Sequence, residues 1–220
     1  MSPAWVGDMV MAQSLLRLLK QRQPTTAIDV LVPAWSQSLF KRMPEVRHIL
    51  GHHWAHGQLG WQPRYQLGRA LRQQNYQKAW ILPNSWKSAL VPFWARIPQR
   101  TGYVGEWRYG LLNDVRQPNP LTLRRTVDQY VALGLPPQST QQAPLLPPQL
   151  SPGQVHYPLS RLHLQPPQQP LLILCPGADY GPAKQWPLEY FAIVAKHQLA
   201  QGWQVWILGS EANASIGARI

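Results

Sequence analysis

The sequence predicts an α/β protein built from parallel sheets with helices on both faces, the doubly wound class, arranged as two units. Three observations predict it. Short apolar runs rich in β-branched residues alternate with stretches of helical apolar spacing. A proline- and glutamine-rich stretch, with LPPQST, APLLPPQLSP and LQPPQQP between residues 135 and 170, interrupts that alternation. The segments that follow the apolar runs carry Gly, Pro, Asp and Lys, as expected where ligands bind beyond the carboxyl ends of parallel strands.

The elements follow in order. After Gly7-Asp8, apolar residues at Met9, Ala12, Leu16 and Leu19 have helical spacing, and the helix must end before Pro24. AIDVLV (27–32) reads as a strand, LGRALRQQN (67–75) as a helix and KAWILP (78–83) as a strand. SWKSALVPFWA (85–95) reads as a helix broken or kinked at Pro92. TGYVGEWRYGLLND (101–114) reads as a glycine-punctuated loop, and a helix is expected around 122–133. Past the proline-rich stretch come a strand at 171–175, a helix at 187–200, a strand at 203–208 and the start of another helix. The expected division is a first unit at 1–135, a linker at 136–170 and a second unit at 171–220.

Both ends are abrupt. The chain opens directly on what reads as a loop entering a helix, and SIGARI closes it inside a helical pattern. About 50 residues follow the linker, few for a doubly wound unit. The expectation is a piece of a longer chain.

Composition narrows the partners. The chain carries 21 Lys and Arg against 9 Asp and Glu, a net charge of +12, which draws anions: nucleic acid, an anionic membrane surface, or a phosphorylated or carboxylated ligand. A single cysteine, Cys175, excludes a disulfide framework and fits a reducing compartment; within its apolar run it reads as a small buried hydrophobe. The first residues lack the order of a signal peptide, and no run approaches the roughly 18 apolar residues of a membrane span. A cytoplasmic protein, in peripheral contact with a membrane or free of it, is the reading.

Two stretches lie where ligands bind. SPAWVGD (2–8) sets Gly7 and Asp8 at a helix N-terminus, where Asp8 is either an N-cap or a general base at the mouth of a cleft. A helix N-terminus favours the ionised carboxylate, so a base there needs burial or a late proton transfer to take up its proton. CPGADYGPAKQWP (175–187) sets Lys184 just ahead of a helix that Pro187 opens. The pair reads as a phosphate site or as a solvated loop lysine. Asn84, Ser85 and Lys87 at a strand end, and Arg108 and Asp114 in the glycine-punctuated loop, are either substrate contacts or turn chemistry. HHWAH (52–56) is a weak metal candidate, since no carboxylate or cysteine stands close in sequence. Arg64, Arg69, Arg72, Arg96, Arg100, Arg108, Arg124 and Arg125 form an anion-binding face or simply a solvated one. The tryptophans are scattered along the chain, and no helix-turn-helix, zinc or RNA-recognition pattern supports nucleic-acid binding.

Taken in order, SPAWVGDMVMAQSL, VPAWSQSLFKRMPEV, LPNSWKSALVPFWARIPQRTGY, RYGLLNDVR and CPGADYGPAKQWP resemble the ADP-heptose:lipopolysaccharide heptosyltransferases, nearest to those that add the second heptose of the inner core. The resemblance implies a GT-B architecture, with an acceptor-binding first domain and a nucleotide-sugar-binding second domain. It implies inverting transfer of L-glycero-D-manno-heptose from ADP-heptose to heptosyl-Kdo2-lipid A, with no metal and no resident cofactor. Asp8 matches the acidic residue proposed as base, and Lys184 the lysine on the diphosphate. Gly177, Ala178 and Glu211 fall with Lys184 on the nucleotide-sugar side. Gly7, Asn84, Lys87 and Arg108 fall on the acceptor side. The implied partners are ADP-heptose, a lipid A–Kdo–heptose acceptor and the cytoplasmic face of the inner membrane, and not nucleic acid. The family begins with a strand leading into the first loop and carries a later N-D-S-G-x-x-H motif. Met1 stands where that strand should already have ended and the motif does not occur in these residues, so the resemblance implies a chain that lacks its first strand and is by itself poorly stable and inactive. An inactive remnant, a related enzyme using another nucleotide sugar, and a basic nucleic-acid-binding protein are the competing readings.

Overall fold

A two-residue bridge joins the two sheets of the first unit in the computed structural model of the chain, which describes residues 1–54, 57–137, 145–151, 159, 164–178 and 182–220. One sheet pairs β1 (Ile28–Pro33) with β2 (Val46–His52), and the other orders β3 (Lys78–Ile81), β4 (Gln99–Tyr103) and β5 (Asp114–Arg116). Every pairing is parallel. Between β1 and β3 the chain contributes only its first residues. The Met1 nitrogen donates to the Trp80 carbonyl (2.9 Å), Leu82 N–H donates to the Met1 carbonyl (3.3 Å), and Ser2 N–H donates to the Leu31 carbonyl (2.9 Å). Three of these strands, β2, β4 and β5, lie where the sequence reading placed none. Polar residues such as Arg47, Arg100 and Asp114 interrupt them, so they show no clean apolar run and weak period-two patterning.

Helices cover both faces. α1 (Val6–Arg22) buries Met9, Ala12, Leu15, Leu16 and Leu19 against Ile28, Val30, Val32 and Leu82, together with Tyr103, Tyr130 and Leu133. Each such aliphatic side chain contributes about 2 kcal/mol by leaving water. α5 (Thr126–Leu133) packs beside α1, and Gly134 lets the two approach: a Cβ there would meet Leu15 Cδ1 at 2.7 Å. The opposite face is closed by Ile81, Ala89 and Leu112 with Met1, Ala79, Leu111 and Val115, and by α3 (Trp61–Leu71), which meets α4 (Leu90–Trp94). Gly68 allows that contact, since its missing Cβ would lie 2.7 Å from the Trp94 side chain. Pro92 sits inside α4, whose preceding turn (Trp86–Ala89) is 3-10; the expected break appears as this change of helix type. A short α2 (Gln37–Phe40) caps the space between β1 and β2.

The chain divides into two compact units, Met1–Gln154 and Val155–Ile220. The described linker residues 145–151 carry no regular secondary structure, but they are tied to the first unit. Gln13 Nε2 donates to the Gln149 carbonyl (2.6 Å), Ser14 Oγ to that of Leu146 (2.7 Å), and Ser151 N–H to that of Arg42 (2.8 Å). The second unit pairs β6 (Leu171–Leu174) in parallel with β7 (Gln204–Ile207), with α6 (Leu188–Ala200) as the crossover and a short α7 (Ala214–Gly217) after β7. Its apolar side chains are poorly covered: Ile173, Tyr190, Ile193, Leu199 and Leu208 are exposed.

Candidate active site

The loops beyond the carboxyl ends of the parallel strands hold most of the first unit's predicted site residues. Asp8 stands in the first turn of α1, but Trp5 is the N-cap and makes no side-chain capping bond. Asp8 is therefore not the N-cap residue; it lies three positions further on and is half-buried. It faces Tyr130 of α5: burial raises the Tyr130 phenol above its ordinary value, and the negative charge of Asp8 adds to the rise. A Cβ on Gly7 would meet nothing within 4 Å, so packing does not demand glycine there and the space above this turn is open.

Asn84 is exposed at the end of β3, and its carbonyl receives Glu106 N–H (3.3 Å). The loop after β4 presses onto it so closely that a Cβ on Gly105 would lie 2.2 Å from the Asn84 carbonyl oxygen. Arg108 explains how the two loops stay together. Its Nε and Nη2 donate to the Tyr103 carbonyl (3.0 and 2.6 Å), and its Nη1 donates to the Pro83 carbonyl (2.5 Å) and to Ser88 Oγ (3.1 Å). A longer contact reaches Asn84 Oδ1 (3.4 Å). Arg108 is 1% exposed, and burial lowers its pKa to about 10. The expectation that Arg108 touches a substrate is corrected: its donors are spent inside the protein, where it fixes the loop that presents Asn84. Arg64, Arg72 and Arg100 likewise donate to main-chain carbonyls. With few acidic side chains in the sequence, these guanidinium groups take backbone partners, which removes them from the expected anion-binding face.

Lys87 is half-buried and donates to the Gly57 carbonyl (2.8 Å). Beside it Arg64 lies over the Trp54 ring (4.2 Å), and His52 stacks on that same ring at 3.9 Å and 6°. Burial, with help from the Arg64 charge, lowers His52 to about 4, and its Nδ1 is buried without a hydrogen-bond partner among the described residues. His56, the third histidine of the HHWAH motif, lies outside the described residues. Among the described residues no group of three or more His, Cys, Asp or Glu converges as a metal site.

One feature escaped sequence reading. A tryptophan follows nearly every strand position of the first unit at the same end of the sheets: Trp5 after the Met1–Ser2 bridge, Trp35 after β1, Trp54 after β2, Trp86 after β3 and Trp107 after β4. Trp5, Trp35 and Trp107 are 50, 62 and 88% exposed. Scattered in sequence, they gather on one rim, and their spacing by whole strand–helix units is the signal that could have found them.

In the second unit the loop after β6 meets the turn after β7. A Cβ on Gly177 would lie 2.7 Å from Asn213 Nδ2, and that amide donates to Ser210 Oγ (2.8 Å). Glu211, exposed, opens the same 3-10 turn (Glu211–Asn213), so Gly177, Ala178 and Glu211 border one loop pair. Lys184 closes a 3-10 turn (Pro182–Lys184) and is exposed; Trp186 beyond it packs on Tyr190 and Phe191 of α6. Cys175 is exposed, which corrects its reading as a buried hydrophobe: β6 ends at Leu174, which is buried, and the alternation turns the next side chain outward. Asp8 and Lys184 belong to different units.

Both units are parallel α/β units whose strand-end loops carry the candidate residues, Asp8 at the start of α1 in one and Gly177 and Lys184 in the other. Residues 64–220 match glycosyltransferase family 9 (heptosyltransferase), and the chain belongs to that family. It is 45% identical over 225 residues to lipopolysaccharide heptosyltransferase 2 of Salmonella typhimurium and 44% identical to that of Escherichia coli; each match covers 99% of this chain and 64% of the relative. The solved ADP-heptose lipopolysaccharide heptosyltransferase II of E. coli superposes with a TM-score of 0.88 at 42% identity, over 99% of this chain and 65% of that one. The chain thus spans just under two thirds of the length of these relatives. The fold is of their GT-B type, as the sequence predicts.

Proposed function

We propose that these residues form the acceptor-binding unit and the beginning of the nucleotide-sugar unit of a heptosyltransferase II-like enzyme. The reaction is transfer of L-glycero-D-manno-heptose from ADP-heptose to heptosyl-Kdo2-lipid A, with inversion. The observation that carries the reading is the 45% identity to lipopolysaccharide heptosyltransferase 2 along 99% of the chain. Asp8 accepts the proton of the acceptor hydroxyl as its oxygen attacks the anomeric carbon from the face opposite ADP. The bond from that carbon to the phosphate oxygen breaks, and ADP leaves with the bonding pair. Lys184 balances the charge that gathers on the leaving diphosphate. Gly177 and Ala178 admit the diphosphate close to backbone, and Glu211 takes the ribose. Gly7 leaves room for the acceptor sugar, Asn84 and Lys87 contact it, and Arg108 holds their loops in place. Domain limits at 1–135 and 171–220, with the linker between, serve this division of labour.

The test is a graft in which these 220 residues replace the matched stretch of the S. typhimurium enzyme, assayed for ADP release and heptose transfer. Transfer to heptosyl-Kdo2-lipid A supports the reading. Turnover with UDP-sugars and none with ADP-heptose sinks it.

A cytoplasmic, peripheral placement on the inner membrane belongs to the same proposal. Among the described residues no helix is long and apolar enough to cross a membrane. The exposed Trp5, Trp35 and Trp107 share the rim that would receive a lipid-linked acceptor, and tryptophan favours the membrane–water interface. The net charge of +12 adds attraction to anionic lipid. Vesicles of anionic phospholipid should retain the protein, and Trp35→Ser with Trp107→Ser should release it; equal retention of both forms would remove the rim from the proposal.

A further inference from the structure

α3 and α4 lie on the outside of one face of the first unit, and what they turn outward is aromatic and basic. Trp61, Tyr65 and Arg69 recur at every fourth position, so they share one side of α3. Trp94 of α4 stands beside them, its ring nearly perpendicular to that of Trp61 (4.9 Å, 76°) and to that of Tyr65 (5.4 Å, 87°). The Arg69 guanidinium lies over the Tyr65 ring at 5.9 Å, and that of Arg100 lies over Phe93, the chain neighbour of Trp94, at 5.6 Å. Trp61, Tyr65 and Phe93 stay exposed all the same. The charge these helices bring has one sign. Between Glu45 and Glu106 the sequence holds no Asp or Glu and eight Lys or Arg, and both helices fall within that stretch. Arg69 and Arg96 are exposed, and neither makes an ion pair among the described residues. Arg96 stands at φ 56°, a left-handed position that suits glycine, yet an arginine occupies it.

We propose that this α3–α4 face docks on an anionic phospholipid surface. An exposed aromatic patch with charge of a single sign is the pattern of a docking face and not of a merely solvated one. Its chemistry fits the headgroup layer: tryptophan and tyrosine rings settle at the boundary between acyl chains and water, and guanidinium groups meet the phosphates. The absence of acidic residues from both helices means that no carboxylate of theirs repels the lipid charge. Single-stranded nucleic acid fits less well, because it needs open ring faces on which bases stack. Here the rings pack against one another and lie under guanidinium groups. The face also has a direction. α3 begins after the loop that leaves the carboxyl end of β2, so the patch starts at the end of the sheets where Asp8 and Asn84 lie and continues down the helix. The inference deepens the membrane placement proposed above and rests on it, but it requires neither the tryptophan rim nor the sugar chemistry.

The experiment sediments the whole chain with vesicles of phosphatidylglycerol and phosphatidylcholine, and with vesicles of phosphatidylcholine alone. The mixed vesicles should bind the chain, and Arg69→Glu with Arg96→Glu should lower the partition coefficient at least tenfold; the neutral vesicles should hold neither form. A second measurement needs no charge reversal and decides the matter should that variant fail to fold. In a Cys175→Ser background, a bimane probe on Gln62→Cys, exposed on α3 beside Trp61, should shift to the blue on mixed vesicles. The same probe on Gln21→Cys, exposed at the end of α1, should not shift. Binding with an unshifted Gln62 probe overturns the proposal and leaves the membrane placement to the rim. Absence of binding overturns it together with that placement. An equal shift at both positions, or with phosphatidylcholine alone, also overturns it. A Gln62 shift with a single-stranded oligonucleotide and none with vesicles assigns the face to nucleic acid, and overturns it too.

Discussion

Asp8 of α1 and Tyr130 of α5 are electrostatic neighbours in the first unit: burial raises the Tyr130 phenol above its ordinary value, and the Asp8 charge adds to the rise. The relationship gives the proposed base a spectroscopic reporter. In the graft, Asp8→Asn should lower kcat by about 10²–10⁴, the usual contribution of a positioned base, with KM little changed. In the same variant the Tyr130 ultraviolet titration should move to lower pH. A variant that shifts Tyr130 and keeps its kcat within tenfold would show Asp8 to be an electrostatic neighbour and not the base.

Lys184→Ala should lower kcat by about 10²–10³, comparable to removing one donor from a preorganised anion site. Lys184→Arg should recover part of that loss, because the charge is kept. Steady-state kinetics with ADP-heptose varied would check it, and an unchanged kcat in Lys184→Ala would sink the assignment.

Arg108→Leu should destabilise the first unit by about 3 kcal/mol, because it strips the donors from the Tyr103 and Pro83 carbonyls inside the protein. Arg108→Lys should rescue little, since one ammonium cannot span acceptors set around a planar fork. Gly105→Ala forces apart the loop contact at Asn84 and should cost about 1–3 kcal/mol. Urea unfolding measures both, and wild-type midpoints would remove the loop staple described for this region.

Acid should weaken the 220-residue chain in two stages. The Met1 amine falls from 8.0 unfolded to about 5 folded, so below pH 8 the unfolded state takes up a proton that the folded state refuses. Stability is therefore present above pH 8 and lost as pH falls toward 5. His52, lowered from 6.5 to about 4, adds a second loss between those values. N-terminal acetylation should flatten the upper stage and His52→Phe the lower one. Urea midpoints taken from pH 9 to pH 4 test this, and a flat profile in the unmodified chain would contradict both burials.

Much of this was legible in the sequence because apolar burial writes itself as periodicity. The α1 stripe at Met9, Ala12, Leu16 and Leu19, and the runs that became β1, β3, β6 and β7, were read from that pattern and are found. β2, β4 and β5 were not, because polar residues such as Arg47, Arg100 and Asp114 interrupt them, so that their few core residues, among them Ile49, Tyr103 and Val115, form no apolar run. Asp8 and Gly7 were legible as the opening of a helix, whereas the fate of Arg108 was not: an arginine in a glycine-rich loop looks the same whether it points to solvent or into three carbonyl oxygens. The tryptophan rim was hidden for the opposite reason, since residues dozens of positions apart meet only once the strands are aligned.

The outward turn of Cys175 has a practical consequence. It is the only thiol in the sequence, and it sits two residues before Gly177, at the lip of the loop pair that borders Glu211. A maleimide fluorophore placed there would label the protein at one point with no mutation. Its brightness would then titrate with any nucleotide that settles into the second unit, giving an optical readout of donor binding in a chain whose catalysis need not be intact.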